Sequence, residues 1–206
     1  MHKEVLTEKQ LDLLPLIESF SDKFGLVGGT AIALHIGHRH SIDFDLFTNQ
    51  EIDSMRIRNK ITEAAEVNKV IRDQQDQYTV VVDGVQITFM HYPYQIDFTE
   101  NFKDIKLPDL PTLAAMKAQA LGRRAKWKDY VDLYFVTKEH YDFEKVVRKA
   151  EQIFGSEFNE KLFRSQLSYF KDIDYSEEVN CLQGFETSDE QVKQWLRQIS
   201  VKENNN

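Results

Sequence analysis

Residues 24–48, FGLVGGTAIALHIGHRHSIDFDLFT, restrict the possible architecture more than any other stretch of the 206-residue chain. Leu26 and Val27 end a short apolar run that reads as a buried strand. Gly28 and Gly29 follow. Lacking a Cβ, they let the backbone turn tightly and come close to a ligand. Thr30 is placed to cap a helix carrying Ala31, Ile32, Leu34 and Ile36. Free N–H groups at such a helix start favour a phosphate. After Gly37 and the basic corner His38-Arg39-His40, residues 42–47 alternate apolar and acidic. Ile42, Phe44 and Leu46 should therefore face one way, Asp43 and Asp45 the other. Two carboxylates on one strand face, roughly 6–7 Å apart at Cα, both reach one or two hard cations. A Gly-Gly alone is usually a turn, and an Asp-x-Asp alone is usually a solvated strand face. In the order strand, Gly-Gly, helix, acid strand, they describe a phosphate cradle beside a paired-acid site, an arrangement for metal-assisted nucleotidyl transfer.

The flanking chain supplies a frame for that core. Thr7 and Gln10 form a capping-box pattern that opens a helix over 7–20, with Leu11, Leu14 and Ile17 on one face and a kink allowed at Pro15. Asp53 or Ser54 caps a second helix carrying Met55, Ile57, Ile61 and Ala65, with Arg56, Arg58 and Lys60 as surface charge. Residues 67–72 read as a strand. Residues 78–82 and 85–90 flank Asp83-Gly84, a two-residue hairpin signal. Residues 105–107 suggest a short edge piece. From Asp109, with Pro111 and Thr112, helix-start chemistry opens a helical half. In it Leu113, Met116 and Ala120 form a stripe and Lys117 projects elsewhere. The helix over 127–136 turns Tyr130, Leu133 and Tyr134 inward. It puts Asp129 and Asp132 on a shared face and makes Lys128 and Asp132 an i,i+4 pair, which read from spacing alone is an exposed ion pair. Further helices are expected over 143–154, capped by Asp142, over 157–170, and from Ser188, with a frayed tail over 201–206.

The segment GGTAIALHIGHRHSIDFDLF resembles the signature of the AbiEii/AbiGii toxin family of minimal nucleotidyltransferases, relatives of the polymerase-β-like superfamily. The likeness covers most of the first 140 residues. It implies an α+β fold: a nucleotidyltransferase-like mixed sheet flanked by helices over 1–108, then a helical lobe over 109–206 that completes a cleft. By the same resemblance Asp43 and Asp45 hold Mg2+, with Mn2+ as a substitute, under a nucleoside triphosphate. Gly28, Gly29 and Thr30 position the phosphates, with Arg39 a weaker contact. The segment AAMKAQALGRRAKWKDYVDLYF resembles the family's second signature. This implies that Lys117 meets the triphosphate and that Lys128, Asp129 and Asp132 line the cleft, Asp129 or Asp132 activating an acceptor hydroxyl if they face it. Family members are toxins paired with antitoxins, some modifying transfer RNA ends. The acceptor implied is thus an RNA such as tRNA, or a protein, and the implied partner is a cognate antitoxin. One departure stands out. Many superfamily members carry a third metal-binding acid on a later strand, whereas residues 85–90 offer Gln86 and Thr88; Asp83 and Asp97 lie off that register. That feature supports an alternative, a catalytically weak or inactive nucleotide- or partner-binding protein on the same fold.

Bulk properties bound these readings. A net charge of −8 argues against a broadly basic nucleic-acid platform, although Lys117, Arg123, Arg124, Lys126 and Lys128 fall within twelve positions. The single cysteine, Cys181, suits a reducing cytoplasm. No run of apolar residues is long enough for a membrane span, and residues 1–14 lack the apolar core of a secretory signal, so a cytoplasmic location away from membranes is expected. His35, His38 and His40 form a weaker candidate for a transition-metal site.

Overall fold

In the computed structural model, which describes residues 1–202, the Asp83-Gly84 turn closes a hairpin between β4 (Gln77–Val82) and β5 (Val85–His91). Both turn residues have positive φ, 48° and 82°, as the twist of a two-residue hairpin demands. Three more strands complete the sheet: β1 (Gly25–Val27), β2 (Asp43–Thr48) and β3 (Val67–Gln74), in the order β1-β2-β5-β4-β3. Only β2 and β5 pair in parallel. β3 runs past the expected end at residue 72, and register shifts after Val67 and Val70 mark it as an irregular edge. Separately, β6 (Glu100–Phe102) and β7 (Ile105–Leu107) make a two-stranded ribbon.

This sheet belongs to the first of two compact units, which divide after Asp109. One face carries Leu46, Phe89 and Tyr78 in a single cross-strand row. Phe20 and Phe24 meet Phe89 edge-on with ring centroids 4.8 and 5.3 Å apart. The helix α1 (Glu8–Glu18) keeps the expected Thr7/Gln10 capping box and contains Pro15. Its buried stripe is Leu13, Leu14, Leu16 and Ile17, while Leu11 is exposed. The run LDLLPLI offers two overlapping stripes, and tertiary packing selects the later one. Between β2 and β3 lies α3 (Ser54–Thr62), capped by the Asp53 carboxylate, which accepts from the Arg56 N–H at 3.0 Å. Ile57 and Ile61 of this helix are buried, but Met55 is exposed. Ile42 is also a correction. At 62 % exposure it precedes β2 and does not share the inward face of Phe44 and Leu46.

The second unit is helical. Its α4 (Leu110–Leu121) is buried from Leu110 through Ala118, so the three-residue stripe expected from sequence is too narrow. Lys117 lies among those buried residues, contrary to the expectation that it projects away. Next comes α5 (Trp127–Phe135), which runs on into a π-helical turn, Val136–His140. In α6 (Phe143–Phe154), Phe143 stacks on Phe163 at 5.4 Å; Asp142 occupies the cap position without a side-chain cap bond. The next helix, α7 (Glu160–Ser168), begins after Asn159, whose side chain accepts from the Leu162 N–H, and so is shorter than the expected 157–170. Ser188 and Gln191 form a capping box on α8 (Asp189–Ser200). Of the expected tail, Val201 and Lys202 are exposed and residues 203–206 lie outside the described residues. No helix among the described residues is long and apolar enough to cross a membrane.

Candidate active site

Gly28 begins α2 (Gly28–Ile36) directly after β1, with a left-handed φ of 73°. Val27 is the N-cap, and its apolar side chain supplies no cap bond to the first N–H groups of the helix. A Cβ built on Gly28 would overlap the Asp45 carboxylate. The acid therefore lies against the glycine turn, at the positive end of the helix dipole. A Cβ on Gly29 would overlap the guanidinium of Arg39 and lie 3.4 Å from the Ser41 hydroxyl. Close packing of a carboxylate and a guanidinium around two Cβ-free residues explains why this turn contains both glycines.

Along β2 exposure alternates strictly: Asp43, Asp45 and Phe47 are half-buried, whereas Phe44, Leu46 and Thr48 are buried. The two acids thus share the face away from the Phe89 row. Thr30 is not the cap that sequence suggested, because the helix starts two residues earlier. Its buried hydroxyl instead donates to the Asp43 carbonyl and bonds the Ser41 hydroxyl at 2.8 Å. Arg39 is also buried, and its guanidinium donates to the His40 carbonyl at 2.9 Å. The glycine turn and the acid strand are consequently tied together by Thr30, Ser41 and Arg39. Ser41 went unnoticed in sequence, since a serine eleven residues from its partner leaves no local signal.

The parallel register puts Gln86 beside Asp43 and Thr88 beside Asp45, the positions where a third acid would complete a metal site. Thr88 is buried and bonds Thr79 at 3.4 Å, while Gln86 is half-buried. Asp83 is at the hairpin turn and Asp97 is exposed. Among the described residues, no group of three or more His, Cys, Asp or Glu side chains is placed to hold a metal. This removes the histidine-cluster reading. His35 meets the Pro108 carbonyl at 3.0 Å and His40 the Val5 carbonyl at 3.2 Å, each through a ring N–H. Burial pushes the His35 pKa below its usual value, only partly offset by the Pro108 carbonyl. The donors that remain, two carboxylates with an amide and a hydroxyl beside them, are all oxygen-bearing. That set fits one hard cation whose other ligands come from substrate oxygens and water.

The remaining candidates lie in the helical unit. Asp129 and Asp132, on one face of α5 as their spacing predicted, both pair with Lys117 Nζ from α4, Asp132 at 2.9 Å. All three side chains are buried, and Arg124 adds a hydrogen bond to Asp129 at 3.2 Å. Two cations and two anions thus balance. Asp132 is not part of an exposed ion pair, as spacing alone had suggested. Lys128 and Lys126 both bond the Glu177 carboxylate. Burial alone would raise the Glu177 pKa, but the hydrogen bonds from these lysines outweigh it and hold the group at about 2. Glu177 was missed in sequence, being 49 residues from Lys128.

An acid-bearing mixed sheet joined to a helix N-terminus through a glycine turn is the nucleotidyltransferase type of fold. It is similar along most of its length to JHP933 of Helicobacter pylori, with a TM-score of 0.60, 16 % identity, and 95 % of this chain and 91 % of that one covered. It is likewise similar to MenT4, a nucleotidyltransferase toxin of Mycobacterium tuberculosis, with a TM-score of 0.59, 14 % identity, and coverage of 93 % and 82 %. An uncharacterized protein of Aquifex aeolicus is 30 % identical over 198 residues, covering 91 % of this chain and 86 % of that protein. The family model for the nucleotidyl transferase AbiEii toxin of type IV toxin–antitoxin systems matches residues 16–200, so the chain belongs to the AbiEii family and is by class a nucleotidyltransferase. That match reaches well beyond residue 140, where the likeness legible in the sequence had faded.

Proposed function

We propose that the chain transfers a nucleotidyl group from a nucleoside triphosphate to a hydroxyl or phosphate of an acceptor, an RNA such as tRNA or a protein. It would act in the cytoplasm as the toxin of a toxin–antitoxin pair. The observation that carries this reading is the contact of Asp45 with the Cβ-free turn at the start of α2. There, backbone N–H groups suited to phosphate oxygens and a carboxylate suited to a divalent cation meet at one point. Asp43 and Asp45 would hold Mg2+, or Mn2+ in its place. Such an ion supplies neutralisation of phosphate charge as the bond to the leaving pyrophosphate breaks. Gly28 and Gly29 present the amides, Arg39 adds positive charge beside Gly29, and Thr30 fixes the Asp43 backbone so that its carboxylate keeps its direction.

For Lys117, Asp129 and Asp132 the burial and mutual pairing support a positioning role, holding α5 against α4. Lys117 is buried between two carboxylates that already neutralise its charge, which weakens its pull on a phosphate. Lys128 shares the Glu177 carboxylate with Lys126, which offsets part of the charge it could offer a phosphate. The deciding experiment incubates the purified chain with Mg2+, each labelled triphosphate, and pools of tRNA and protein. Wild type should label an acceptor, and Asp43→Asn and Asp45→Asn should reduce labelling by at least about a hundredfold, the scale expected when charge stabilisation of the reacting centre is lost. Equal labelling by the variants would show that the acid pair is not the site. Tight triphosphate binding without transfer to any acceptor would favour the inactive binding protein that Gln86 and Thr88, in place of a third acid, make conceivable.

A further inference from the structure

The acid face of the sheet continues into an aromatic surface that the acid pair does not explain. Cross-strand register arranges the face in rows. Val27, Asp45, Thr88 and Thr79 form one row; the next is Gly25, Phe47, Met90 and Gln77. Asp45 and Phe47 are two residues apart on β2, so their side chains emerge on the same side about 7 Å apart. Tyr92 stacks at a tilt on Phe47 with centroids 5.1 Å apart, and Tyr94 meets Tyr92 edge-on at 4.9 Å. The backbone holds this group in place: the Tyr92 N–H donates to the Thr48 carbonyl at 2.7 Å, prolonging the β2–β5 pairing. At the other end of the row the ring of Phe98 lies where a Cβ of Gly25 would be.

Burial separates these rings from the core. Phe20, Phe24 and Phe89, behind the sheet, are all under 9 % exposed, whereas Phe47, Tyr92, Tyr94 and Phe98 are all half-buried. A hydrophobic core would bury them fully; four partly open rings beside two carboxylates form a surface with flat apolar area to offer. We propose that Phe47 and Tyr92, backed by Tyr94 and Phe98, are the stacking platform for the base of the nucleoside triphosphate. This rests on the reading of Asp43 and Asp45 as the site that carries its phosphates. The spacing suits the ligand, because a triphosphate held beside Asp45 leaves its sugar and base to lie along the same face, where Phe47 emerges about 7 Å further along the strand. Stacking on aromatic rings tolerates every base, so the platform confers affinity with weak discrimination among ATP, GTP, CTP and UTP.

The test compares two probes on the full chain in Mg2+: ATP and inorganic triphosphate, each titrated calorimetrically. Stacking worth about 1–3 kcal/mol corresponds to ATP binding roughly 5- to 150-fold tighter than triphosphate. Phe47→Leu and Tyr92→Leu should bring ATP down to the triphosphate level and leave triphosphate affinity unchanged. Tyr92→Phe and Phe47→Trp should retain the difference, which a merely structural role for the rings would not produce. If ATP and triphosphate bind wild type equally, the platform is wrong and the phosphate site stands. The platform is also wrong if the leucine variants weaken both probes alike, or if they lose acceptor labelling with ATP affinity intact. Binding of neither probe to wild type overturns the phosphate site and the platform with it.

Discussion

Adding one methyl group at Gly28 brings two separate costs. The φ of 73° is a conformation that disfavours a Cβ by about 1–2 kcal/mol, and the new atom would displace the Asp45 carboxylate. Gly155 separates backbone strain from steric overlap, because its φ of 53° and ψ of −129° disfavour a Cβ while no atom lies within 4 Å of one built there. Gly155→Ala should therefore lower stability through backbone strain alone, with transfer activity retained. Gly28→Ala should lose stability and, unlike Gly155→Ala, nearly all activity, as read by urea denaturation alongside nucleotide labelling. Thr30→Val keeps shape but removes the bond to the Asp43 carbonyl, and urea denaturation should show a loss of about 1 kcal/mol, the net worth of a part-buried hydrogen bond. The glycine turn and the alternation of Asp43 and Asp45 were legible because they depend on neighbouring residues alone. The work of Thr30 was not: its partners Ser41 and Asp43 arrive from the far end of α2, and a hydroxyl near a helix start looks the same whether it caps that helix or ties down a strand.

Between elements, the Lys117–Asp129–Asp132 cluster fastens α4 to α5. Truncating one member of a buried ion pair strands the others, at about 3–5 kcal/mol, whereas removing all the charges together costs far less. Lys117→Met should thus be strongly destabilised, and Lys117→Met combined with Asp129→Asn and Asp132→Asn should recover part of the loss, measured as a shift in the urea midpoint. The i,i+3 spacing showed that the two acids share a face but could not show whether that face is buried, since α5 carries apolar residues nearly all round. Glu177 behaves differently. Its pKa is depressed to about 2 from an ordinary 4.5, so its contribution is fully present above about pH 4.5 and is lost as pH falls toward 2. The carboxylate is 34 % exposed, and solvent screening reduces the effect well below what the shift alone would give. Acid titration of unfolding should therefore show a shallow fall between pH 4.5 and 2 that is smaller in Glu177→Gln. Nothing in the sequence pointed to this contact, because the segment after α7 is irregular and carries no periodicity to place it.

At the scale of the whole chain, charge decides how an acceptor can be held. The net charge is −8, and several of the cations are already used internally. Lys126 and Lys128 share Glu177, Lys117 lies between Asp129 and Asp132, and Arg164 bonds both Glu144 and Glu160. The cluster of cations at residues 117–128 is thereby partly neutralised by Asp129, Asp132 and Glu177. If the acceptor is RNA, its affinity must come from a few phosphate contacts and from unpaired bases. For single strands the logarithm of affinity falls with the logarithm of salt with a slope of about −0.7 per phosphate contact. Two contacts predict a loss of only about sevenfold between 50 and 200 mM salt, and six predict several hundredfold. Fluorescence anisotropy of the chain with the labelled RNA that it modifies should give the shallow slope. A steep slope in wild type that persists in Lys126→Ala/Lys128→Ala would mean that a different basic surface carries the acceptor. A steep slope that those substitutions flatten would mean that RNA displaces Glu177 from the two lysines.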